Sequence, residues 1–148
     1  MKASRVRPYT TADARPLVSL VRALARYENL APLSGTAAKR LIRDVGKRIH
    51  VLLAEVQGEA VGYAMYFFAY SSFRARPTLY IEDLFVLPSH RREGLGRALF
   101  SALLKVARRE RCGRMEWIVL DWNRTARGFY RRMGARPLKG WIPYRISF

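Results

Sequence analysis

Leu87-Pro88-Ser89-His90-Arg91-Arg92-Glu93-Gly94-Leu95-Gly96-Arg97-Ala98-Leu99 joins two different hydrophobic patterns. Residues 79–87, leading into it, are apolar and strand-like. Residues 94–112, running on from it, are amphipathic with helical spacing. The join is rich in Arg and Gly. Two glycines let the backbone approach a ligand without a Cβ in the way. The N–H groups of the turn and of the first helical turn then converge on one spot. With the positive end of the helix dipole they favour an anion, above all a phosphate. The alternative is a glycine-punctuated helix start carrying solvated arginines.

The rest of the chain extends this strand–turn–helix unit into an α/β layout. Residues 5–9 read as a short strand. Thr11 or Asp13 starts a helix that places Leu17, Leu20, Val21, Leu24 and Ala25 on one face. Residues 29–35 break it, and Thr36 caps a second helix carrying Leu41, Ile42 and Val45. Residues 50–56 and 60–69 are strands joined by the turn Gln57-Gly58-Glu59. Residues 71–77 form a polar loop before a long strand at 78–87. After the second long helix come a strand at 114–121, a short helix at 124–133 stopped by Gly134, and a closing strand at 141–148. The order is β-α-α-β-β-β-α-β-α-β around a mixed, mostly antiparallel twisted sheet. We see no repeat, low-complexity tract or linker, so residues 1–148 read as one domain.

No apolar run is long enough to cross a membrane, and no apolar signal region follows the N-terminal Met1-Lys2-Ala3-Ser4-Arg5. A cytoplasmic protein is expected. A single Cys excludes an internal disulfide and offers no metal cluster, so no metal is expected. The formal charge is +17, from 28 basic and 11 acidic residues. Such an excess attracts nucleic acid, an anionic membrane or anionic cofactors. It is spread from Arg5 to Arg145, and no familiar nucleic-acid motif accompanies it, so nucleic acid is not favoured.

The 91–97 turn resembles the pyrophosphate-binding turn of the GNAT superfamily of N-acetyltransferases. There Arg or Gln is followed by two residues, Gly, one residue, and Gly or Ala. Arg91, Gly94 and Gly96 match. The element order is that of the GNAT fold, so the resemblance covers essentially the whole chain. Four further stretches resemble one branch, the diamine (spermidine/spermine-type) and thialysine N-acetyltransferases. They are Leu24-Ala25-Arg26-Tyr27-Glu28, then 62–68 (Gly-Tyr-Ala-Met-Tyr-Phe-Phe), then 79–86 (Leu-Tyr-Ile-Glu-Asp-Leu-Phe-Val), and Leu120-Asp121-Trp122-Asn123 running to Phe129-Tyr130.

The resemblance implies direct acetyl transfer from acetyl-CoA to an amine, in a chain that commonly forms homodimers. Such transfer needs a proton acceptor for the amine, donors for the oxyanion and a proton for the leaving thiolate. Glu82 and Asp83 are adjacent acids in an apolar strand, an expensive place for them unless they are used. They face opposite ways unless a bulge intervenes. Arginine-matched structural carboxylates are the other reading. By resemblance, Glu82 accepts the amine proton through water, Asp83 holds the cationic acceptor and Tyr130 is the general acid. Phe129 packs the helix, and a purely packing pair is the alternative for Tyr130. Tyr27, Glu28, Glu116 and Trp117 are further acceptor-binding candidates, with a solvated helix end as the alternative for Tyr27 and Glu28. Acetyl-CoA falls to the backbone of Leu84, Phe85 and Val86, to Arg91, Arg92, Glu93, Gly94, Leu95, Gly96 and Arg97, and to Asn123 and Ala126. Asn123 can also cap its helix. Cys112 and His90 read as structural and surface residues.

One departure bears on the acceptor. Polyamine-acetylating members carry an acid and a Trp in the loop before the catalytic strand. Here Ser71 and Phe73 stand in those places. A small amine or amino-acid-like acceptor (thialysine, a lysine-like amino acid, a short diamine) is therefore expected over spermine. The competing readings are a protein or peptide amine acetyltransferase, a basic nucleic-acid-binding module, and a silent acyl-CoA-binding protein, against which Glu82 and Tyr130 argue.

Overall fold

Gln57 and Gly58 both take positive φ, 53° and 85°, and so make the tight turn that a two-residue hairpin requires. This hairpin seeds the sheet of a computed structural model that describes residues 2–148. The strands are β1 (Ser4–Pro8), β2 (His50–Val56), β3 (Glu59–Ser71), β4 (Arg76–Val86) and β5 (Arg114–Glu116). They lie in one sheet in chain order. The first four are antiparallel, and β5 runs parallel to β4 over Thr78–Tyr80 only. The helices are α1 (Ala14–Tyr27), α2 (Gly35–Asp44), α3 (Leu95–Arg109) and α4 (Arg124–Arg132). None is long and apolar enough to cross a membrane.

The chain divides into two compact units, residues 1–117 and 118–148. In the first, both faces of the sheet are covered. On one face Leu17 and Leu20 of α1 meet Val51, Leu53, Tyr63, Met65 and Phe85 of the sheet, with Leu41 and Ile42 of α2 packed against them. α3 lies along β1 to β4 and buries Leu99, Phe100, Leu103 and Val106. Burial on both sides explains why Val51 to Ala54 of β2 read as a continuous apolar run rather than an alternating one.

Four sequence expectations change. The second helix is capped by Ser34, whose Oγ accepts the Ala37 N–H at 3.1 Å, and not by Thr36. The polar loop at 71–77 shrinks to the turn 72–75, because β3 and β4 pair out to Ser71 and Arg76. The strand at 114–121 stops at Glu116, and 141–148 forms no strand. In that last segment Trp141, Ile142, Tyr144, Ile146 and Phe148 are exposed.

An ion network ties β1 to the rest of the unit. Arg7 donates to both oxygens of Asp13 at 2.8 Å and through Nε to Glu55 at 2.7 Å, while Arg5 donates to Glu55 at 2.6 Å. Hydrogen bonds from Arg7 hold the Asp13 carboxyl well below the usual carboxylate range, and those from Arg7 and Arg5 lower that of Glu55. Both acids are buried. Arg7→Met leaves Asp13 without a cationic partner and Glu55 with Arg5 alone, and should lower the unfolding free energy by about 3 kcal/mol, read by urea denaturation at pH 7. Because these folded-state values lie below the unfolded ones, the stabilisation is complete at neutral pH and lost on acidification. The gap between variant and wild type should therefore narrow below about pH 4.

Candidate active site

Met65 of β3 pairs with Asp83, and its neighbour Tyr66 pairs with Ile81, so Glu82 is an extra residue in β4. A bulge of this kind suspends the strict alternation of side chains. The result is an exposed Glu82 beside a half-buried Asp83. Asp83 Oδ2 accepts a hydrogen bond of 2.8 Å from the hydroxyl of Tyr63, which is fully buried. Burial pushes the Asp83 carboxyl up to about 6, the Tyr63 bond works against that rise, and the charges of Glu82 and Glu28 add to it. Burial also raises Glu28, at the end of α1. Burial first, and these acids after it, push the Tyr63 phenol well above its ordinary value.

None of the ion pairs among the described residues involves Glu28, Glu82 or Asp83. Asp13, Asp44, Glu55, Glu110 and Glu116 each have an arginine within 4 Å, and Glu93 has His90. In a chain with 28 lysines and arginines, Glu28, Glu82 and Asp83 stand without an ion-pair partner among the described residues, and the charges of Glu82 and Glu28 act on Asp83.

The aromatic wall of this site continues to the Gly-rich turn. Phe85 contacts both Tyr27 and Tyr63, with ring centroids 6.2 and 6.4 Å apart. The Arg91 guanidinium lies 4.5 Å from the Tyr27 ring centroid, and its Nε donates to the Val86 carbonyl at 3.1 Å. Arg91 thus clamps the turn to the end of α1. Within the turn, Arg92 and Gly94 have φ of 65° and 81°, and α3 starts at Leu95. The first bonded N–H after the turn is that of Ala98, which donates to Gly94. Among the described residues the N–H groups of 92–97 have no acceptor, so they form an open cradle for an anion. Glu93 and Arg97 are exposed at its rim.

β4 also presents a free edge. Beyond Tyr80, among the described residues, it has no strand partner on the β5 side, so the backbone of Leu84, Phe85 and Val86 can take an extended ligand. The other side is tight. A Cβ on Gly62 would sit 2.8 Å from the Phe85 carbonyl oxygen and 3.0 Å from the Val86 side chain.

Two acceptor candidates have contacts of their own. Trp117 packs edge-on against Phe100 of α3, at 5.6 Å, and Glu116 pairs with Arg114 at 3.1 Å. Burial raises the Cys112 thiol, which disfavours a thiolate. In the second unit, Asn123 Oδ1 accepts the Ala126 N–H at 3.1 Å and caps α4, as its sequence position implied. The rings of Phe129 and Tyr130 pack edge to face, with centroids 5.4 Å apart. Sequence reasoning missed Tyr63. The available signal was a lone hydroxyl in the apolar stretch Gly62-Tyr63-Ala64-Met65, on a strand bound to pair with the one carrying Asp83.

Comparison with known proteins gives a consistent picture. A family model described as the acetyltransferase (GNAT) family matches residues 19–135. The thialysine N-epsilon-acetyltransferase of Mus musculus is 31% identical over 161 residues, covering 99% of this chain and 94% of its own length. The L-ornithine N5-acetyltransferase NATA1 of Arabidopsis thaliana is 45% identical over 86 residues, 58% of this chain and 38% of its own. Among solved structures, a probable acetyltransferase superposes with a TM-score of 0.87 at 18% identity, over 97% of each chain.

The close approach at Gly62 is directly testable. Gly62→Ala should lower stability by roughly 1–3 kcal/mol, since its methyl meets backbone. Gly113→Ala meets Arg74 and Arg76 side chains, the nearest at 3.1 Å, and should cost less. Differential scanning calorimetry of the two variants orders them.

Proposed function

This chain belongs to the GNAT family of acetyltransferases, and from that premise we propose that it transfers the acetyl group of acetyl-CoA directly to the primary amine of a small, amino-acid-like acceptor. The observation that carries this reading is the group of unpaired carboxylates at the β4 bulge, on the strand whose free edge leads to the N–H cradle. Glu28 and Asp83 hold the acceptor's ammonium. Glu82, exposed at the bulge, takes the amine proton through water. The freed nitrogen attacks the thioester carbonyl, the C–S bond breaks as the Tyr130 hydroxyl protonates the departing thiolate, and the second proton lost from the new amide nitrogen restores the Tyr130 hydroxyl. The backbone of Leu84 to Val86 bonds the pantetheine arm. The 92–97 cradle, with Arg97 at its rim, takes the pyrophosphate. Asn123 and Ala126 set the start of the helix that carries Tyr130.

Two observations favour an amino-acid-like acceptor over a long polyamine. Ser71 is buried, and its Oγ accepts the Arg74 N–H at 3.2 Å, so it closes the hairpin tip and supplies no charge. The relatives at 31% and 45% identity are named for thialysine and L-ornithine. A homodimer is part of the same reading. Its support is the exposed apolar row from Trp141 to Phe148, more than a stable surface usually shows.

In an amine panel read by free-thiol release, thialysine, ornithine or lysine-like acceptors should give higher kcat/KM than spermine. Spermine as the best acceptor would overturn the assignment. Tyr130→Phe should lower kcat by roughly 10²–10⁴-fold with acetyl-CoA affinity little changed. Gly96→Asp, which sets a carboxylate against the pyrophosphate, should weaken acetyl-CoA binding by calorimetry, and unchanged affinity in a folded variant would move the site elsewhere. Sedimentation should show a dimer that Tyr144→Ser with Ile146→Ser converts to monomer.

A further inference from the structure

Tyr63 is surrounded by apolar side chains from four elements: Leu17 and Leu20 of α1, Val51 and Leu53 of β2, Met65 of β3 and Phe85 of β4. A core position of this kind is filled as well by Phe, which brings no polar atom to bury. Its hydroxyl makes one hydrogen bond, to Asp83 Oδ2. The pairing of Tyr63 with Phe85 and of Met65 with Asp83 makes Tyr63 and Asp83 diagonal neighbours across the ladder. Asp83 in turn has no other hydrogen bond and no ion pair among the described residues, which leaves Oδ1 for a ligand.

We propose that Tyr63 is a positioning residue for the acceptor: its buried hydroxyl fixes the Asp83 carboxylate at the bulge so that the incoming ammonium meets one set orientation. The inference rests on the acetyltransferase reading above. Burial and the charges of Glu82 and Glu28 all favour a protonated Asp83, and the Tyr63 bond is the one interaction that opposes them. The titratable and charged groups around the site are Glu82 on β4, Glu28 at the end of α1, Tyr27 on α1 and Arg91 stacked on it. Tyr63 therefore acts twice, on the orientation of Asp83 and on the pH range in which it is anionic.

The test is Tyr63→Phe in the full chain, with circular dichroism to establish folding and L-ornithine and thialysine as acceptors. The expected result is an acceptor KM raised roughly tenfold or more, as fits a lost hydrogen bond to a charged group. The kcat at saturating acceptor and the acetyl-CoA dissociation constant should hold. The acid limb of kcat/KM, near pH 6 in the wild type, should move to higher pH, because the interaction that lowers the Asp83 value is gone. A residue that only packs would change the thermal midpoint and leave that limb in place. An unmoved limb with unchanged KM in a folded variant overturns the proposal. If Tyr63→Phe does not fold, Asp83→Asn decides it: the limb must leave the region near pH 6, and its persistence there refutes the assignment. A wild type inactive with every amine refutes the acetyltransferase reading, whereas an active wild type indistinguishable from Tyr63→Phe refutes only the role of Tyr63.

Discussion

One extra residue in β4 sets the geometry of the whole site. Without Glu82 as a bulge, Asp83 would follow the ordinary pleat and the two acids would face opposite sides of the sheet. The bulge exposes Glu82 and leaves Asp83 within reach of Tyr63. A sheet can hold such a defect only if its flanks are firmly paired. Here they are. β3 and β4 stay in register from Gly62 to Met65 on one side and from Tyr66 to Ser71 on the other, and the first of these stretches is drawn so close that Gly62 has no room for a Cβ.

Charge distribution makes the defect chemically selective. A chain of net charge +17 pairs most of its acids, and the buried ones at β1 are held anionic by Arg5 and Arg7. At the bulge the arrangement is reversed. Burial and the charges of Glu82 and Glu28 raise Asp83, and the guanidinium nearby, that of Arg91, is turned onto Tyr27 and the Val86 carbonyl. The same residue types give a rigid corner in one place and a cation-seeking site in the other, because the arginines are shared unevenly.

Much of this was legible in the sequence where local chemistry decides the outcome. The glycines of the 87–99 stretch, the Gln57-Gly58 turn and the Asn123 cap act over a few residues and appear where the pattern puts them. Glu82 and Asp83 stood out as acids in an apolar strand. What escaped depends on partners distant in the chain. The Tyr63–Asp83 bond spans 20 positions and needs the register to be known. Arg91 reads as an anion ligand until α1 brings Tyr27 under it. Residues 141–148 carry a strand's alternation, but alternation alone supplies no neighbouring strand to pair with. Thr36 and Ser34 are equally good caps in isolation, and the turn geometry after Pro32 chose Ser34.

The open edge of β4 has a liability that its own irregularity offsets. Unpaired N–H and C=O groups along a strand are a template for any extended chain, and long flat edges of that kind drive aggregation. Beyond Tyr80 this edge is interrupted almost at once by Glu82, which breaks the repeat of the backbone groups and adds an exposed negative charge. An ordinary strand arriving there finds no continuous register to zip into. The kink that shapes the site thus also keeps the sheet from growing.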